Sequence, residues 1–195
     1  MIEVFDHDFP TLAQGVVIPH GLYDVVQNIG YITLGTSHDT SEFAIDCIIT
    51  WWKQYGCHAY PNATEILLLC DGGGSNSART HLFKERLHYA AQVIGLPIRV
   101  AHYPPYTSKY NPIEHRLFPH VTRACRGVIF KSVDMVRALM ERTTTRTGLH
   151  VHVTLLDKVY ETGKKVANTF KVAMQIVFDT YLPQWNYTAM PDVGR

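Results

Sequence analysis

Residues 65–76 read EILLLCDGGGSN and join a continuous apolar run to an acid and three glycines. The run at 65–70 follows Pro61 and Asn62, and it predicts a fully buried central strand of a sheet. Asp71 then stands at the carboxyl end of that strand, where α/β sheets collect their functional groups. The glycines leave a loop with little side-chain bulk, so a metal ion, a phosphate or a DNA backbone can approach the main chain closely.

Asp71 also has a purely structural interpretation. In a tight strand-to-helix turn, an aspartate accepts hydrogen bonds from nearby backbone amides, and the residues alone do not separate this role from a catalytic one. A Walker-type phosphate loop is excluded, because no Gly-Lys-Ser or Gly-Lys-Thr follows the glycines.

The rest of the chain alternates predicted strands with predicted helices, which indicates an α/β fold. A hairpin is predicted with its turn at 27–30, and the capping box at 39–42 (DTSE) predicts the start of the first helix. Helices are also predicted at 77–94, at 112–125, where Pro119 can kink or interrupt the helix, at 132–142, which Ser132 caps, and at 169–178. Strands are predicted at 97–102 and 149–155. No repeat, low-complexity tract or linker-like stretch divides the sequence, so we expect one domain over residues 1–195.

The composition is that of an ordinary globular domain, since 46% of the 195 residues are hydrophobic and 18% are charged. These values exclude a disordered or fibrous chain. Lys and Arg total 18 against 17 Asp and Glu, whereas a dedicated nucleic-acid-binding domain is usually basic. Any binding of DNA must therefore depend on a local group of cations.

The four cysteines form no C-x-x-C pair, and their segments suit reduced thiols better than a disulfide framework. No charged and then apolar leader is visible, and no apolar run approaches the roughly 18 residues of a membrane span. We therefore expect a cytoplasmic protein without a membrane partner.

A second segment with chemical character is HYPPYTSKYNPIEH at 102–115. Two prolines stiffen the loop, Asn111 can cap the following helix, and Pro112 suits its first turn. Glu114 then lies in that first turn, where the helix dipole alone would also favour a carboxylate. Lys109, with tyrosines on both sides, has the character of a phosphate contact, and an ordinary solvated surface is its alternative.

Eleven histidines call for a test of a zinc-enzyme interpretation. His150 and His152 would share one face of a strand. No H-E-x-x-H motif and no Cys/His zinc spacing accompanies them, so a histidine-based zinc site is disfavoured. His115 is a separate case, because it adjoins Glu114 and could orient that carboxylate or contact DNA.

Together these segments resemble a known family. PPYTSKYNPIEH at 104–115 is similar to the Pro-rich, Asn-Pro-Ile-Glu signature of mariner-like DDE transposases. The wider sequence more closely resembles the Rhodopirellula-type DDE transposases of bacterial insertion sequences. The similar segments run through nearly the whole chain and are HDFP (7–10), IPHGLYD (18–24), HDTSEFAIDCIITWW (38–52), CDGGGSN (70–76), YTSKYNPIEHRLF (106–118), RTTTRTGL (142–149) and QWNY (184–187).

The resemblance implies an RNase H-like α/β fold, in which helices flank a mixed sheet. It also implies a metal-dependent enzyme that cleaves and transfers DNA strands of its insertion sequence with two Mg²⁺ or Mn²⁺ ions. Asp71 and Glu114 match the second and third acids of that site, as catalytic and metal-binding residues. The expected partners are DNA, at the element ends and the target, and a further copy or the full-length transposase. The candidate DNA contacts are Asn76, Lys109, His115 and Arg116.

The chain departs from the family's pattern near its start. In the family, the first acid lies on the first strand of the fold, upstream of the segment that matches 7–10. No such strand is visible, so we expect a fold that lacks its first strand and a three-acid site that is incomplete. Asp24 is a candidate substitute for that acid and Asp8 a weaker one, and a turn or strand end is the alternative for both.

Three functions therefore remain to be compared. The first is an active DDE transposase catalytic domain. The second is a truncated, catalytically inactive remnant that at most binds DNA or the parent transposase, and the third is another RNase H-like nuclease. The first is the leading hypothesis, and the missing first strand is the feature that discriminates it from the second. We expect that this chain alone does not cleave DNA with Mg²⁺ or Mn²⁺.

Overall fold

Seven strands and six α-helices form the part of the chain that the structure covers. The structure is a computed structural model that describes residues 15–73, 75, 80–164 and 175–192. The strands are β1 (Ile18–Asp24), β2 (Ile29–Gly35), β3 (Ile66–Asp71), β4 (Ile98–Tyr103), β5 (His150–Leu156), β6 (Ile176–Phe178) and β7 (Asn186–Ala189). The helices are α1 (Ser41–Trp51), α2 (Cys57–Ala59), α3 (His81–Ile94), α4 (Pro112–Arg116), α5 (Phe118–Cys125) and α6 (Val133–Glu141), with a π-helical segment at Trp52–Gly56 and a 3₁₀ turn at Ser108–Tyr110.

The chain divides into two compact units, each of which is discontinuous in sequence. Unit 1 comprises Met1–Ser37 and Pro112–Val159, and unit 2 comprises His38–Asn111 and Tyr160–Arg195. Each unit contains one of the two sheets. None of the described helices combines the length and the apolar character needed to cross a membrane.

Unit 1 contains a three-stranded mixed sheet in the order β1-β2-β5. Strands β1 and β2 form the predicted antiparallel hairpin, and β5 pairs with β2 in parallel. Asn28 takes a left-handed conformation in the hairpin turn, with φ of 57°, and its side-chain amide donates to the carbonyl oxygen of Thr147 at 2.9 Å. This bond ties the turn to the segment that precedes β5.

The core of unit 1 depends on a close approach between the sheet and the chain between α4 and α5. Leu117 is fully buried there, and a Cβ added at Gly30 of β2 would lie 2.4 Å from its Cδ1 atom. Only glycine therefore fits at this position without displacing the leucine. The helix predicted after Pro112 is interrupted at Leu117, and Pro119 lies in the first turn of α5, as the sequence suggested.

Unit 2 contains a four-stranded mixed sheet in the order β3-β4-β7-β6. Strands β3 and β4 are parallel, and the remaining two pairs are antiparallel. Helix α1 is capped by Thr40, whose hydroxyl accepts from the Phe43 amide at 3.1 Å, so the cap is one residue later than Asp39. Thr80 caps α3 in the same manner, and Gly95 ends it in the left-handed conformation.

The predicted α/β class with mixed sheets and helices is confirmed, and the arrangement is consistent with an RNase H-like fold. Two local predictions were wrong. Strand β3 is not a fully buried central strand, because within the described residues it pairs only with β4, and Leu67 and Leu69 are 57% and 42% exposed. The helix predicted at 169–178 is wrong at its end, since Ile176–Phe178 pairs with β7 as strand β6, and 169–174 lie outside the described residues.

Candidate active site

Asp71 is the last residue of β3, and its side chain is exposed. The parallel register pairs it with Tyr103, the last residue of β4, so the loops that follow both strands leave the sheet at one edge. Gly72 and Gly73 come directly after Asp71. The carboxylate therefore projects where the main chain carries little side-chain bulk, as the sequence predicted from the glycine-rich loop.

A buried histidine supports the strand end that carries Asp71. The Nδ1 atom of His102 lies 2.9 Å from the carbonyl oxygen of Asp71, and its Nε2 atom lies 2.8 Å from the hydroxyl oxygen of Tyr187. His102 is 5% exposed and Tyr187 is 1% exposed. Burial lowers the pKa of His102, which favours a neutral ring at physiological pH.

Two further ionisable groups adjoin this histidine. Burial, followed by the negative charge of Asp71, raises the pKa of the Cys70 thiol to about 12, and its sulfur lies 3.5 Å from Nδ1 of His102. The ammonium of Lys84 lies 5.0 Å from the centre of the Tyr187 ring, and burial lowers its pKa. Neither group reaches open solvent in the way that Asp71 does.

Sequence reasoning did not identify His102 or Tyr187 as part of this site. The sequence held one weak signal for His102, which lies near the end of a predicted strand, just as Cys70 does. In the structure these two residues are register partners in β3 and β4. Tyr187 could not be found in this way, since it is 85 positions from its hydrogen-bond partner.

A cavity of about 300 Å³ opens beside Asp71 within unit 2. Its walls come from the two strand ends, the Pro-rich loop and the segment before β7, and its side chains include Tyr103, Tyr106, Ser108, Gln184 and Trp185. Asp71 is the only charged residue among the described residues that line it. Aromatic faces with a few neutral polar groups suit the face of a nucleobase better than they suit a phosphate.

The loop after β4 also carries the first of the candidate DNA contacts. Lys109 is exposed in the 3₁₀ turn, and its ammonium lies 5.0 Å from the centre of the Tyr110 ring. Tyr106 is fully exposed and has a φ of 66°. A cation and two tyrosines are thus available at the surface of unit 2, on the loop that borders the cavity.

Glu114 lies in the first turn of α4, in unit 1, and its side chain is exposed. His115 and Arg116 follow it in the same short helix and are exposed as well. Glu114 belongs to unit 1, whereas Asp71 belongs to unit 2. The fourth candidate DNA contact, Asn76, lies outside the described residues.

Asp24 is the last residue of β1 and acts in the hairpin turn. Its Oδ1 atom accepts hydrogen bonds from the backbone amides of Val26 and Gln27, both at 2.9 Å. This is the turn role that the sequence offered as the alternative to a third acid. Asp8, the weaker candidate, lies outside the described residues.

The donor atoms at Asp71 and Glu114 suit Mg²⁺ or Mn²⁺, because these ions prefer hard oxygen ligands and keep several of their waters. Both carboxylates are exposed, and the glycine loop beside Asp71 leaves room for an ion and its waters. Across the described part of the chain, no group of three His, Cys, Asp or Glu side chains is arranged to hold a metal.

Comparison with known proteins gives one family. The sequence model described as the Rhodopirellula transposase DDE domain matches residues 1–191, which confirms the resemblance drawn from the motifs. Neither a search of curated proteins nor a search of solved structures found a match. Because the family match extends over almost all of the 195 residues, the chain belongs to the Rhodopirellula transposase DDE domain family.

Proposed function

We propose that this transposase domain catalyses metal-dependent cleavage and transfer of DNA strands at the ends of an insertion sequence. Asp71 and Glu114 are the catalytic carboxylates in this proposal, and they bind Mg²⁺ or Mn²⁺. The observation that carries it is the position of Asp71, which is exposed at the carboxyl end of β3 beside a glycine loop and an aromatic cavity. The family match supports the transposase function itself.

The reaction is a phosphoryl transfer at a DNA phosphodiester. A water molecule or a DNA 3′-hydroxyl attacks the phosphorus atom and loses a proton to solvent. The bond to the leaving oxygen breaks, and that oxygen takes up a proton from solvent and departs as a hydroxyl. Two divalent ions, when bound, lower the pKa of the attacking oxygen and stabilise the charge on the leaving one. The carboxylates of Asp71 and Glu114 fix where that charge stabilisation is available.

The surroundings of Asp71 provide contacts for the DNA strand. Lys109 neutralises a backbone phosphate, and the neutral aromatic cavity accepts the flat face of a base near the reacting phosphodiester. His115, Arg116 and Asn76 are proposed as further DNA contacts. Because the net charge of the chain is only +1, such local contacts must supply the attraction to DNA.

The site in this chain is proposed to be incomplete without a further strand that carries the first acid. The edge position of β3 supports this, since its free side leaves backbone groups unpaired by a neighbouring strand among the described residues. The exposed side chains of Leu67 and Leu69 support it as well, because large apolar residues on a strand are normally covered. Without that strand the chain should bind a metal ion and DNA but not cleave DNA, and with that strand in place the domain carries out the proposed reaction.

A nicking assay on supercoiled DNA with Mg²⁺ or Mn²⁺, together with Mn²⁺ binding followed by electron paramagnetic resonance, tests the proposal. The chain should bind Mn²⁺, and Asp71→Ala and Glu114→Ala should each weaken that binding. Asp157→Ala, which removes an exposed aspartate elsewhere in unit 1, is the matched control and should bind like the unchanged chain.

Each outcome of these assays has a distinct meaning. Cleavage that is lost in both Asp71→Ala and Glu114→Ala would overturn the incomplete site and would show that the chain itself supplies the remaining acid. An affinity for Mn²⁺ that neither substitution changes would overturn the proposed metal site. The cytoplasmic location and assembly with a second copy or the full-length transposase stay predictions.

A further inference from the structure

A buried chain of hydrogen bonds leads from Tyr187 through His102 to the main chain of Asp71. We propose that His102 and Tyr187 are positioning residues, which fix the end of β3 and thereby the direction in which the Asp71 carboxylate points. The proposal rests on the proposed function for the role of Asp71, whereas the positioning itself can be tested without any metal.

The direction of both hydrogen bonds follows from the chemistry of the groups. The carbonyl oxygen of Asp71 can only accept, so Nδ1 of His102 donates across the 2.9 Å contact. A neutral imidazole carries a single N–H, so Nε2 must accept from the Tyr187 hydroxyl across 2.8 Å. Tyr187 therefore selects the one histidine tautomer that can hold the Asp71 carbonyl.

His102 is itself held at both its backbone and its ring. Its backbone amide donates to the carbonyl oxygen of Trp185 at 2.9 Å, and its strand β4 is paired with β7, which contains Tyr187. Its ring packs against the rings of Tyr187 and Phe83, with centroid distances of 5.5 and 6.1 Å. A ring fixed in this way cannot swing away from Asp71 without breaking contacts on several sides.

The end of β3 needs such support for a structural reason. Within the described residues, β3 is paired on one side only, and its ladder with β4 ends at the pair formed by Asp71 and Tyr103. Gly72 and Gly73 follow directly, and glycine restricts the main chain least of all residues. The bond from His102 is thus an added restraint at the last paired position of β3, directly before the glycines.

Two substitutions test the two hydrogen bonds of the His102 ring one at a time. In His102→Asn, the side-chain amide nitrogen takes the place of Nδ1, so the bond to the Asp71 carbonyl is kept and the link to Tyr187 is lost. In His102→Gln, the amide nitrogen takes the place of Nε2, so the link to Tyr187 is kept and the bond to Asp71 is lost. Both variants remove the imidazole, and they therefore serve as controls for one another.

Two measurements compare the variants. The first is hydrogen exchange at the amides of Gly72 and Gly73, and the second is the affinity of the chain for Mn²⁺. We expect His102→Asn to have nearly the same exchange rates and the same affinity for Mn²⁺ as the unchanged chain. His102→Gln should exchange faster at these two amides and bind Mn²⁺ about 10-fold more weakly or worse, as is usual when the support of a metal ligand is removed.

The proposal is overturned if His102→Gln matches the unchanged chain in both measurements, or if His102→Asn loses as much as His102→Gln while both remain folded. Should neither variant fold, nitrogen-15 NMR of the unchanged chain decides, because the proposal requires a protonated Nδ1 and an unprotonated Nε2 on His102. The opposite tautomer would refute it. If Asp71→Ala does not alter Mn²⁺ binding, the proposed metal site fails, and exchange at Gly72 and Gly73 still decides the positioning.

Discussion

Replacing Tyr187 by phenylalanine removes one buried hydroxyl and almost no volume. The Nε2 atom of His102 then loses its donor at 2.8 Å in a site where His102 is 5% exposed, so water cannot easily replace it. A buried acceptor left without a partner costs about 1–3 kcal/mol. For a chain of this size, each 1 kcal/mol lowers Tm by about 2–4 °C, so we expect a fall of about 2–12 °C.

The assay is thermal and urea unfolding followed by circular dichroism, in buffer with a chelator so that bound metal does not contribute. Tyr181→Phe is the matched control, because Tyr181 is 90% exposed and its hydroxyl is not expected to matter by more than about 0.5 kcal/mol. The reasoning is refuted if Tyr187→Phe unfolds within that margin of Tyr181→Phe. Such a result would mean that the histidine finds another donor or does not depend on this one.

Three other perturbations test separate parts of the structure. Gly30→Ala places a Cβ 2.4 Å from Leu117 and should destabilise the chain by about 1–3 kcal/mol in the same unfolding assay, whereas Gly15→Ala, with no atom within 4 Å, should have little effect. Cys70 in the folded chain should react with iodoacetamide at pH 8 at least about 100-fold more slowly than in the urea-unfolded chain, because burial raises its pKa to about 12 and the thiolate is the reactive form. Mass spectrometry measures both rates, and equal rates would contradict the buried environment of the thiol. Asp24→Asn keeps the oxygen that accepts the turn amides, so stability and Mn²⁺ affinity should both be unchanged, and a loss of Mn²⁺ affinity alone would instead identify Asp24 as a metal-binding acid.

Several local features of the fold were predictable from the sequence because they depend on neighbouring residues. The hairpin turn before Gly30, the glycine that ends α3 and the interruption of the helix near Pro119 all follow from backbone preferences of single residues. The sequence also predicted Ser132 as the cap of α6, because serine is a preferred residue at the start of a helix. In the structure its hydroxyl accepts from the amide of Met135, three residues later.

The candidate site was only partly predictable from the sequence, because some of its residues act through contacts between distant segments. Asp71 was found because an apolar run ends in an acid and glycines, and Glu114 because its motif resembles that of a family. His102 and Tyr187 carry no such local signal, since their roles depend on a contact across 85 positions. The predicted helix at 169–178 failed for the same reason, because Ile176–Phe178 is a strand only through its pairing with β7.

The sequence by itself determined the family, the α/β class and the acid at the end of β3, since motifs and periodicity are written in consecutive residues. Only the tertiary structure decided that β3 lies at the edge of its sheet and that a buried histidine and tyrosine hold its end. The physical reason is that strand order and buried hydrogen bonds depend on which segments, distant in sequence, pack against one another and bury their surfaces from water. No local pattern specifies that choice.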